Sequence, residues 1–169
     1  MRVIWMVLLA SGCAARAHVG LATPLTDHPA ERVPVVATHL DAVPGSFRFR
    51  TGKVTYDTVG PFVPGVGVGA RVRPTLAGGA VAAGPEVMIG IPPSEAGIGG
   101  ALRIGVLPMF GAASDGWADL ALAIPIDLSI TLLLGDMPVS IGATLEYDRW
   151  ATPWVPGTWW VGGNIGAGW

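Results

Sequence analysis

The sequence ends in TWWVGGNIGAGW, residues 158–169, and this stretch predicts a β-strand because its side chains alternate in character with a period of two. One set of alternate positions is apolar, with Gly163 as the one gap, and its members are Trp159, Val161, Ile165, Ala167 and Trp169. The other set is mostly glycine and amide and consists of Trp160, Gly162, Asn164, Gly166 and Gly168. An apolar face bounded by aromatic residues is typical of a strand that faces lipid, with the aromatics at the two membrane interfaces.

The composition favours a membrane β-protein. Of the 169 residues, 51% are hydrophobic and 13% are charged, against roughly 25% charged residues in an average soluble domain. No apolar run reaches the ~18 residues of a spanning helix, and 25 Gly with 15 Pro disfavour long helices. The length predicts one domain. A formal net charge of −2 without a basic stripe predicts no nucleic-acid partner.

The first residues resemble a bacterial lipoprotein signal peptide. Met1-Arg2 is a minimal positive region, Val3 to Ala10 is apolar, and Ala10-Ser11-Gly12-Cys13 follows. The resemblance implies that residues 1–12 are removed and that Cys13 is lipidated. Ala14, rather than Asp, then directs the lipoprotein to the outer membrane. Ordinary cleavage after Ala17 is the alternative.

Residues 13–45 are predicted to be a lipidated N-terminus followed by an irregular periplasmic tether. Pro24, Pro29, Pro34 and Pro44 interrupt the stretch, and no period is sustained. All three histidines lie in this segment, namely His18, His28 and His39. Their spacing to neighbouring acidic residues is irregular, so the sequence predicts no metal site, and it implies no cofactor.

From Ser46 onward, segments with a period of two alternate with turn signals. The clear ones are residues 47–57, 66–76, 81–91, 98–108, 137–147 and 158–169. Residues 117–134 form one long strand or two strands that turn near Pro125. Because bacterial single-chain barrels have even strand counts, we divide this stretch. Residues 46–169 are therefore predicted to form an all-β, antiparallel up-and-down transmembrane β-barrel of about eight strands.

The charges of the predicted strands fall on the faces that carry glycine and alanine. They are Arg48, Arg50, Arg71, Arg73, Glu86, Arg103, Asp119, Asp127, Glu146 and Asp148. A charge on the lipid face near the midplane costs roughly 2–4 kcal/mol, whereas charges in a narrow lumen can pair. We therefore predict that these residues form ion pairs that close the lumen. A soluble barrel with the opposite orientation would expose faces rich in glycine and alanine, which is poor for solubility.

The aromatic residues and turns predict a topology in which the N-terminus is periplasmic. Gly78-Gly79 and Gly135-Asp136 are then periplasmic turns, and residues 92–97 and 148–157 are outer loops. The predicted membrane-interface aromatics are Trp150, Trp154 and Trp159 on the outer side, and Trp117 and Trp169 on the inner side.

Residues 46–169 resemble small bacterial outer-membrane β-barrel proteins of the eight-stranded type. Trp169 resembles the C-terminal aromatic signal of that family, which implies outer-membrane lipid and the barrel-insertion machinery as partners in a Gram-negative envelope. Enzymes of this family rely on a His with Ser at the membrane face, and the predicted barrel contains no His. We therefore expect a non-enzymatic barrel with a structural or surface role. The alternatives are a narrow pore for small solutes and a soluble, lipid-anchored, lipocalin-like binding barrel.

Overall fold

The computed structural model describes residues 11–25, 32–44, 46–50, 53–57, 62–75, 78–93, 97–135 and 137–168. In chain order the strands are β1 (Ser11–Pro24), β2 (Val33–Pro44), β3 (Ser46–Arg50), β4 (Lys53–Asp57), β5 (Val63–Thr75), β6 (Gly78–Ile91), β7 (Ile98–Gly105), β8 (Leu107–Ala113), β9 (Ala118–Leu134), β10 (Met137–Trp150) and β11 (Thr158–Gly168). Within the described residues, we find no helix long and apolar enough to cross a membrane.

The main sheet is a closed barrel in which each neighbouring pair of strands is antiparallel. Its nine strands run in the order β10-β11-β1-β2-β5-β6-β7-β9-β8, and β9 also pairs with β10 while β6 also pairs with β8. β7 and β8 both pair with β6 and β9 and are separated only by Val106, so together they occupy one position. Nine strands therefore fill eight positions, and each strand pairs with the next barrel strand along the chain. This up-and-down, all-β architecture confirms the predicted fold class.

The N-terminal segment corrects the predicted domain boundaries. Residues 13–45 contain β1 and β2 instead of a tether, and β1 closes the barrel by pairing with both β2 and β11. Side chains alternate along β1, with Arg16 and His18 buried and Ala17 and Val19 exposed. The prolines interrupt the strands less than predicted. Pro24 and Pro44 are the last residues of β1 and β2, so they leave the backbone hydrogen-bond ladders of these strands intact. Residues 1–10 and His28 lie outside the described residues.

The predicted first barrel strand, residues 47–57, is a second correction. These residues lie between β2 and β5 in the chain. They form β3 and β4, which pair with each other in a separate two-stranded sheet. Ser46 pairs with Asp57 and Arg50 with Lys53, so the segment folds back on itself and is not part of the barrel wall. Arg48 and Arg50, predicted for the lumen, therefore lie on this hairpin.

The predicted division of residues 117–134 is also wrong, because β9 is a single strand of 17 residues. It pairs with β10 from Leu134↔Met137 to Ala121↔Trp150, with Pro125 inside the strand. The barrel nevertheless has eight strand positions, because β1 and β2 supply the two that the prediction had placed elsewhere.

The two ends of the barrel follow from this strand count. We call the end where β1 begins and β11 ends the terminal end, and the opposite end the far end. β2, β6 and β9 end at the terminal end, and β5, β7 and β10 begin there. β1 and β5 end at the far end, β2 and β6 begin there, and connections 114–117 and 151–157 also lie at the far end. Gly78-Gly79 and Gly135 are thus at opposite ends, although the sequence analysis predicted the same end for both.

The barrel wall is apolar outside and polar inside. On β9, Leu128 and Ile130 are 59% and 58% exposed, whereas the alternate residues Asp127 and Ser129 are 2% and 3% exposed. The same alternation places a belt of exposed Val, Ile and Leu side chains around the other strands. Nine of the eleven charged side chains on the barrel strands are buried in the lumen, which is the reverse of a soluble barrel.

Candidate functional site in the barrel lumen

A network of buried polar side chains fills the lumen, and all eight strand positions contribute to it. Its arginines and carboxylates are Arg16, Asp41, Arg71, Arg73, Glu86, Arg103, Asp127, Glu146 and Asp148, with His18, His39 and Asn164 among them. Each charged member is at most 6% exposed. Charges in so dry a space are costly unless they are paired and hydrogen-bonded, so the pairing pattern determines whether this interior is stable.

Arg71 and Asp127 form the centre of the network. They are joined by a short hydrogen bond, and Arg71 Nη1 also lies 3.1 Å from Glu146 Oε2. The second oxygen of Asp127 accepts a hydrogen bond of 2.5 Å from Thr144 Oγ1. Thr144 in turn accepts a hydrogen bond from Asn164 Nδ2 at 3.1 Å. One arginine, two acids and two neutral side chains are thereby held in a fixed arrangement.

Arg73 extends this arrangement towards the far end. Its Nη2 lies 3.3 Å from Glu146 Oε1 and 2.5 Å from Asp148 Oδ2. The same nitrogen lies 3.0 Å from Met109 Sδ, and the guanidinium carbon is 4.5 Å from the centre of the Trp160 ring. This cation–π geometry adds attraction where water is excluded.

A second arm lies on the other side of the lumen. Arg103 Nε donates a hydrogen bond of 2.8 Å to Asp41 Oδ2, and His39 Nδ1 lies 2.8 Å from Glu86 Oε2. His39 Nε2 is 3.9 Å from Asp127 Oδ2, which connects this arm to the centre. The rings of His39 and His18 stack with their centroids 5.2 Å apart.

Arg16 is the one network arginine whose described partners are neutral. Its Nε donates to Ser140 Oγ at 2.8 Å, and its Nη2 donates to Asn164 Oδ1 through a short hydrogen bond. These contacts link β1 to β10 and β11 next to the seam that closes the barrel.

The ion pairs bridge the lumen instead of running along its wall. Arg71 and Arg73 of β5 meet acids on β9 and β10, and Arg103 of β7 meets Asp41 of β2. None of these pairs of strands are neighbours in the barrel. Each bridge therefore places long side chains across the interior of the barrel.

Two apolar clusters lie inside the barrel on either side of the network. One contains residues near the terminal end: Ala14, Val43, Val63, Met88 and Ala101. The other lies towards the far end and contains Ala82, Leu107, Met109 and Ala123, with Trp150 packed against it. These clusters were not predicted from the sequence, because alanine and valine on a strand carry no sign of which face turns inward.

A small cavity remains within the network. Its volume is about 20 Å³, and its lining includes His18, Arg71, Arg73, Glu146 and Trp160. Since one buried water needs roughly 10–15 Å³, the cavity is of the size of a water molecule.

The predicted lumen residues divide into two groups. Seven lie in the buried network: Arg71, Arg73, Glu86, Arg103, Asp127, Glu146 and Asp148. Asp119 does not, because its carboxylate accepts backbone hydrogen bonds from Leu120 at 2.8 Å and Thr152 at 3.1 Å and so holds connection 151–157 against β9. Arg48 and Arg50 belong to β3, which is not a strand of the barrel sheet.

Five further polar members of the network were not predicted from the sequence. Arg16, His18, His39 and Asp41 lie on β1 and β2, and Asn164 lies on β11. The available signal was polar residues at every second position, Arg16 and His18 on β1 and His39 and Asp41 on β2. The prediction that the barrel contains no His is therefore wrong, since His18 and His39 are barrel residues, each 3% exposed in the lumen.

The four predicted interface aromatics that the structure describes lie at the far end. Trp117 and Trp150 pack edge to face with ring centroids 4.9 Å apart, so Trp117 is not at the opposite interface. Trp150 packs inside the barrel, on the apolar cluster that contains Leu107 and Met109, instead of facing lipid. Trp154 is 84% exposed in connection 151–157, and Trp159 is 45% exposed on the outer face beside Tyr147. Trp169 lies outside the described residues.

The described part of the chain contains no group of three or more His, Cys, Asp or Glu residues arranged to hold a metal ion. Four of the network's five carboxylates, Asp41, Asp127, Glu146 and Asp148, pair with arginines, and Glu86 lies beside His39. Cys13 belongs to β1, where its backbone pairs with Ala42.

Comparison with known proteins identifies a shared fold. No protein-family model and no curated protein sequence matches the chain. Among solved structures, the chain is similar to Neisserial surface protein A, NspA, with a TM-score of 0.51 and 8% identity over 94% of this chain and 95% of that one. It is also similar to the N-terminal β-barrel domain of OprF from Pseudomonas aeruginosa, with a TM-score of 0.49 and 8% identity over 94% and 99% of the two chains. At such low identity, the likeness to NspA supports the barrel fold alone.

Proposed function

We propose that this protein is a non-enzymatic β-barrel of the Gram-negative outer membrane, with a structural or surface role and a lumen closed by ion pairs. The proposal rests on the distribution of side chains across the barrel wall. Charged side chains lie inside, and a continuous belt of apolar side chains lies outside. Exposed apolar surface of this extent is unfavourable in water, whereas lipid covers it without cost. The fold shared with a Neisserial surface protein is consistent with this location.

The soluble, lipocalin-like alternative requires an apolar interior and a polar exterior. In the structure Leu102, Ile104 and Ile141 are 37%, 40% and 56% exposed, while Arg71 and Glu146 are each 4% exposed. Among the described residues, this distribution is opposite to the one a lipocalin-like barrel requires, so we favour the membrane barrel.

The narrow-pore alternative is tested by conductance. We expect the refolded protein to give no steady single-channel steps in planar bilayers, because Arg71, Arg73 and Arg103 bridge the lumen between the two apolar clusters. A porin inserted into the same bilayers provides the positive control. Steady steps from correctly folded protein would contradict the closed lumen and support a pore.

Lipidation at Cys13 is a further part of the proposal, together with a periplasmic terminal end. Cleavage before Cys13 removes only Ser11 and Gly12 from β1. Cleavage after Ala17 would also remove Arg16 and its hydrogen bonds to Ser140 and Asn164. Since β1 closes the barrel, the fold favours the earlier cleavage site over the later one.

The mature N-terminus can be read from the intact mass of protein purified from outer membranes. We expect a chain that begins at Cys13 and carries acyl groups. The Cys13→Ser variant should lose the acyl mass yet stay with membranes during a carbonate wash, because the barrel itself is integral. An unacylated chain that begins at His18 would contradict this prediction.

A further inference from the structure

The small cavity in the lumen network lies near the far end of the barrel. Its lining includes Ala22, Val35 and Trp160, each two residues from the residue at which β1 ends or β2 or β11 begins. Gly20 of β1 and Gly162 of β11 also line it, at positions that the alternation of these strands turns inward. Because neither glycine has a side chain, the wall leaves room here for a small ligand.

The side chains that line this cavity have free hydrogen-bond donors, while their acceptors are engaged. Four buried nitrogens have no hydrogen-bond partner among the described residues, namely His18 Nδ1, Arg71 Nε, Arg73 Nη1 and Trp160 Nε1. The arginine and indole nitrogens can only donate, and the histidine nitrogen donates when it carries a proton. By contrast, the side-chain oxygens of Thr144, Glu146 and Asn164 are all within reach of donors.

A ligand that fits this cavity has to be small and has to accept hydrogen bonds from several directions. A buried water molecule makes about three hydrogen bonds, and it donates some of them. A small monovalent anion such as chloride only accepts, so it can satisfy all four nitrogens at once. The lining also contains two arginines, Arg71 and Arg73, and one carboxylate, Glu146, which favours a negative ligand.

The charge of the whole network indicates that such an anion binds together with a proton. The described network contains four arginines and five carboxylates, so an anion alone would add to an excess of negative charge. His18 is the lining side chain that can offset it, because a proton at Nδ1 makes the ring positive and supplies the fourth donor. The charged and titratable groups that face His18 are Arg16 on its own strand, His39 on β2, Arg71 and Arg73 on β5, Asp127 on β9 and Glu146 on β10.

We propose that the cavity binds a small monovalent anion such as chloride, together with one proton taken from solvent by His18. Arg71, Arg73 and Trp160 donate hydrogen bonds to the anion, which enters from the far end. The net charge of the network is then the same with the site empty or filled. This inference adds a ligand site to the lumen, and it does not depend on the proposed structural or surface role of the barrel.

Bromide is the direct probe of this site, because its anomalous scattering locates it in crystals of the wild-type protein. In solution, the free energy of unfolding in urea is measured for protein folded into vesicles while chloride replaces gluconate at constant ionic strength. The series is repeated at pH values one unit apart. Trp160→Phe removes the indole donor but keeps a ring beside Arg73, and Trp159→Phe is the matched control on the outer face of the same strand. Heat-modifiability on a gel reports folding.

We expect a bromide peak in the cavity and a free energy of unfolding that rises with chloride concentration by mass action. Trp160→Phe should weaken the apparent chloride affinity at least roughly tenfold, whereas Trp159→Phe should leave it unchanged. Because one proton is taken up, the affinity should tighten about tenfold for each unit fall in pH while His18 is neutral in the empty site.

The proposal is overturned if crystals show no bromide peak and stability is the same in chloride and gluconate, which would leave water as the occupant. A bromide peak without any chloride effect in solution would mean binding at crystal concentration only and would also overturn it. A chloride effect that is independent of pH would contradict the proton on His18. Loss of heat-modifiability in the wild-type protein would instead count against the proposed function.

Discussion

Asp127→Ala is expected to lower the free energy of unfolding by about 3–5 kcal/mol, the usual cost of removing one partner from a buried ion pair. Asp127 bonds Arg71 and Thr144 and lies near His39, so its loss leaves the Arg71 guanidinium with only Glu146 as an acid partner. The measurement is equilibrium unfolding in urea of protein folded into phospholipid vesicles. Two-state behaviour should be verified first.

The matched control for this substitution is Ser129→Ala. Ser129 lies two positions along the same strand and is equally buried, but its hydroxyl makes only one hydrogen bond, of 3.3 Å, to the Ala101 carbonyl. Its substitution should cost about 1 kcal/mol or less. Equal losses for the two variants would show that Asp127 is not the centre of an ion network.

A double-mutant cycle separates pairing from packing. If Arg71 and Asp127 interact directly, the Arg71→Ala/Asp127→Ala variant should be more stable than the sum of the two single losses predicts, because neither charge is left unpaired. Additive losses would place the two residues in independent environments, which contradicts the lumen geometry.

Leu128→Arg is expected to destabilise the barrel by roughly 2–4 kcal/mol, because it puts a charge on the lipid face near the midplane. Leu128 is 59% exposed and lies opposite Leu102 and Ala143, both in the middle of their strands. In a water-soluble protein, such an exposed substitution usually changes stability by no more than about 0.5 kcal/mol. The two environments therefore predict clearly different results.

Leu134→Arg is the control, since Leu134 is 61% exposed and ends the same strand. Near a membrane interface the cost of arginine falls to about 0–1 kcal/mol. Unfolding in urea and the yield of heat-modifiable protein should both rank Leu128→Arg below Leu134→Arg. Two near-neutral variants would indicate that this face meets water.

The sequence predicted the strands best where one face is apolar and the other is polar or small. β10 and β11 show this contrast throughout, and their predicted and observed ranges agree within a few residues. β2 lacks it, because Val33 and Val35 face inward while Val36 faces outward. Ala14 and Ala15 similarly differ in burial but not in polarity. The two N-terminal strands were therefore not predicted, because small and apolar residues occur on both of their faces.

Alternation along each strand predicted that seven charged residues point into the lumen. It did not predict which residues they pair with. Arg71 meets Asp127 across the lumen from a strand that is not its neighbour. Barrel closure and strand register determine such meetings, and neither is encoded within a single segment. The same limit explains Asp119, which has the alternation of a lumen residue but lies at the far end, where backbone donors of connection 151–157 satisfy it.

The central claim is that the apolar side chains of the wall face lipid. A scan of single cysteines at residues 127–132 of β9, in a Cys13→Ser background, tests it most directly by fluorophore quenching with spin-labelled lipid. We predict strong quenching at residues 128, 130 and 132, and weak quenching at residues 127, 129 and 131. Strong quenching at the odd positions, or none at any position in folded protein, would contradict it.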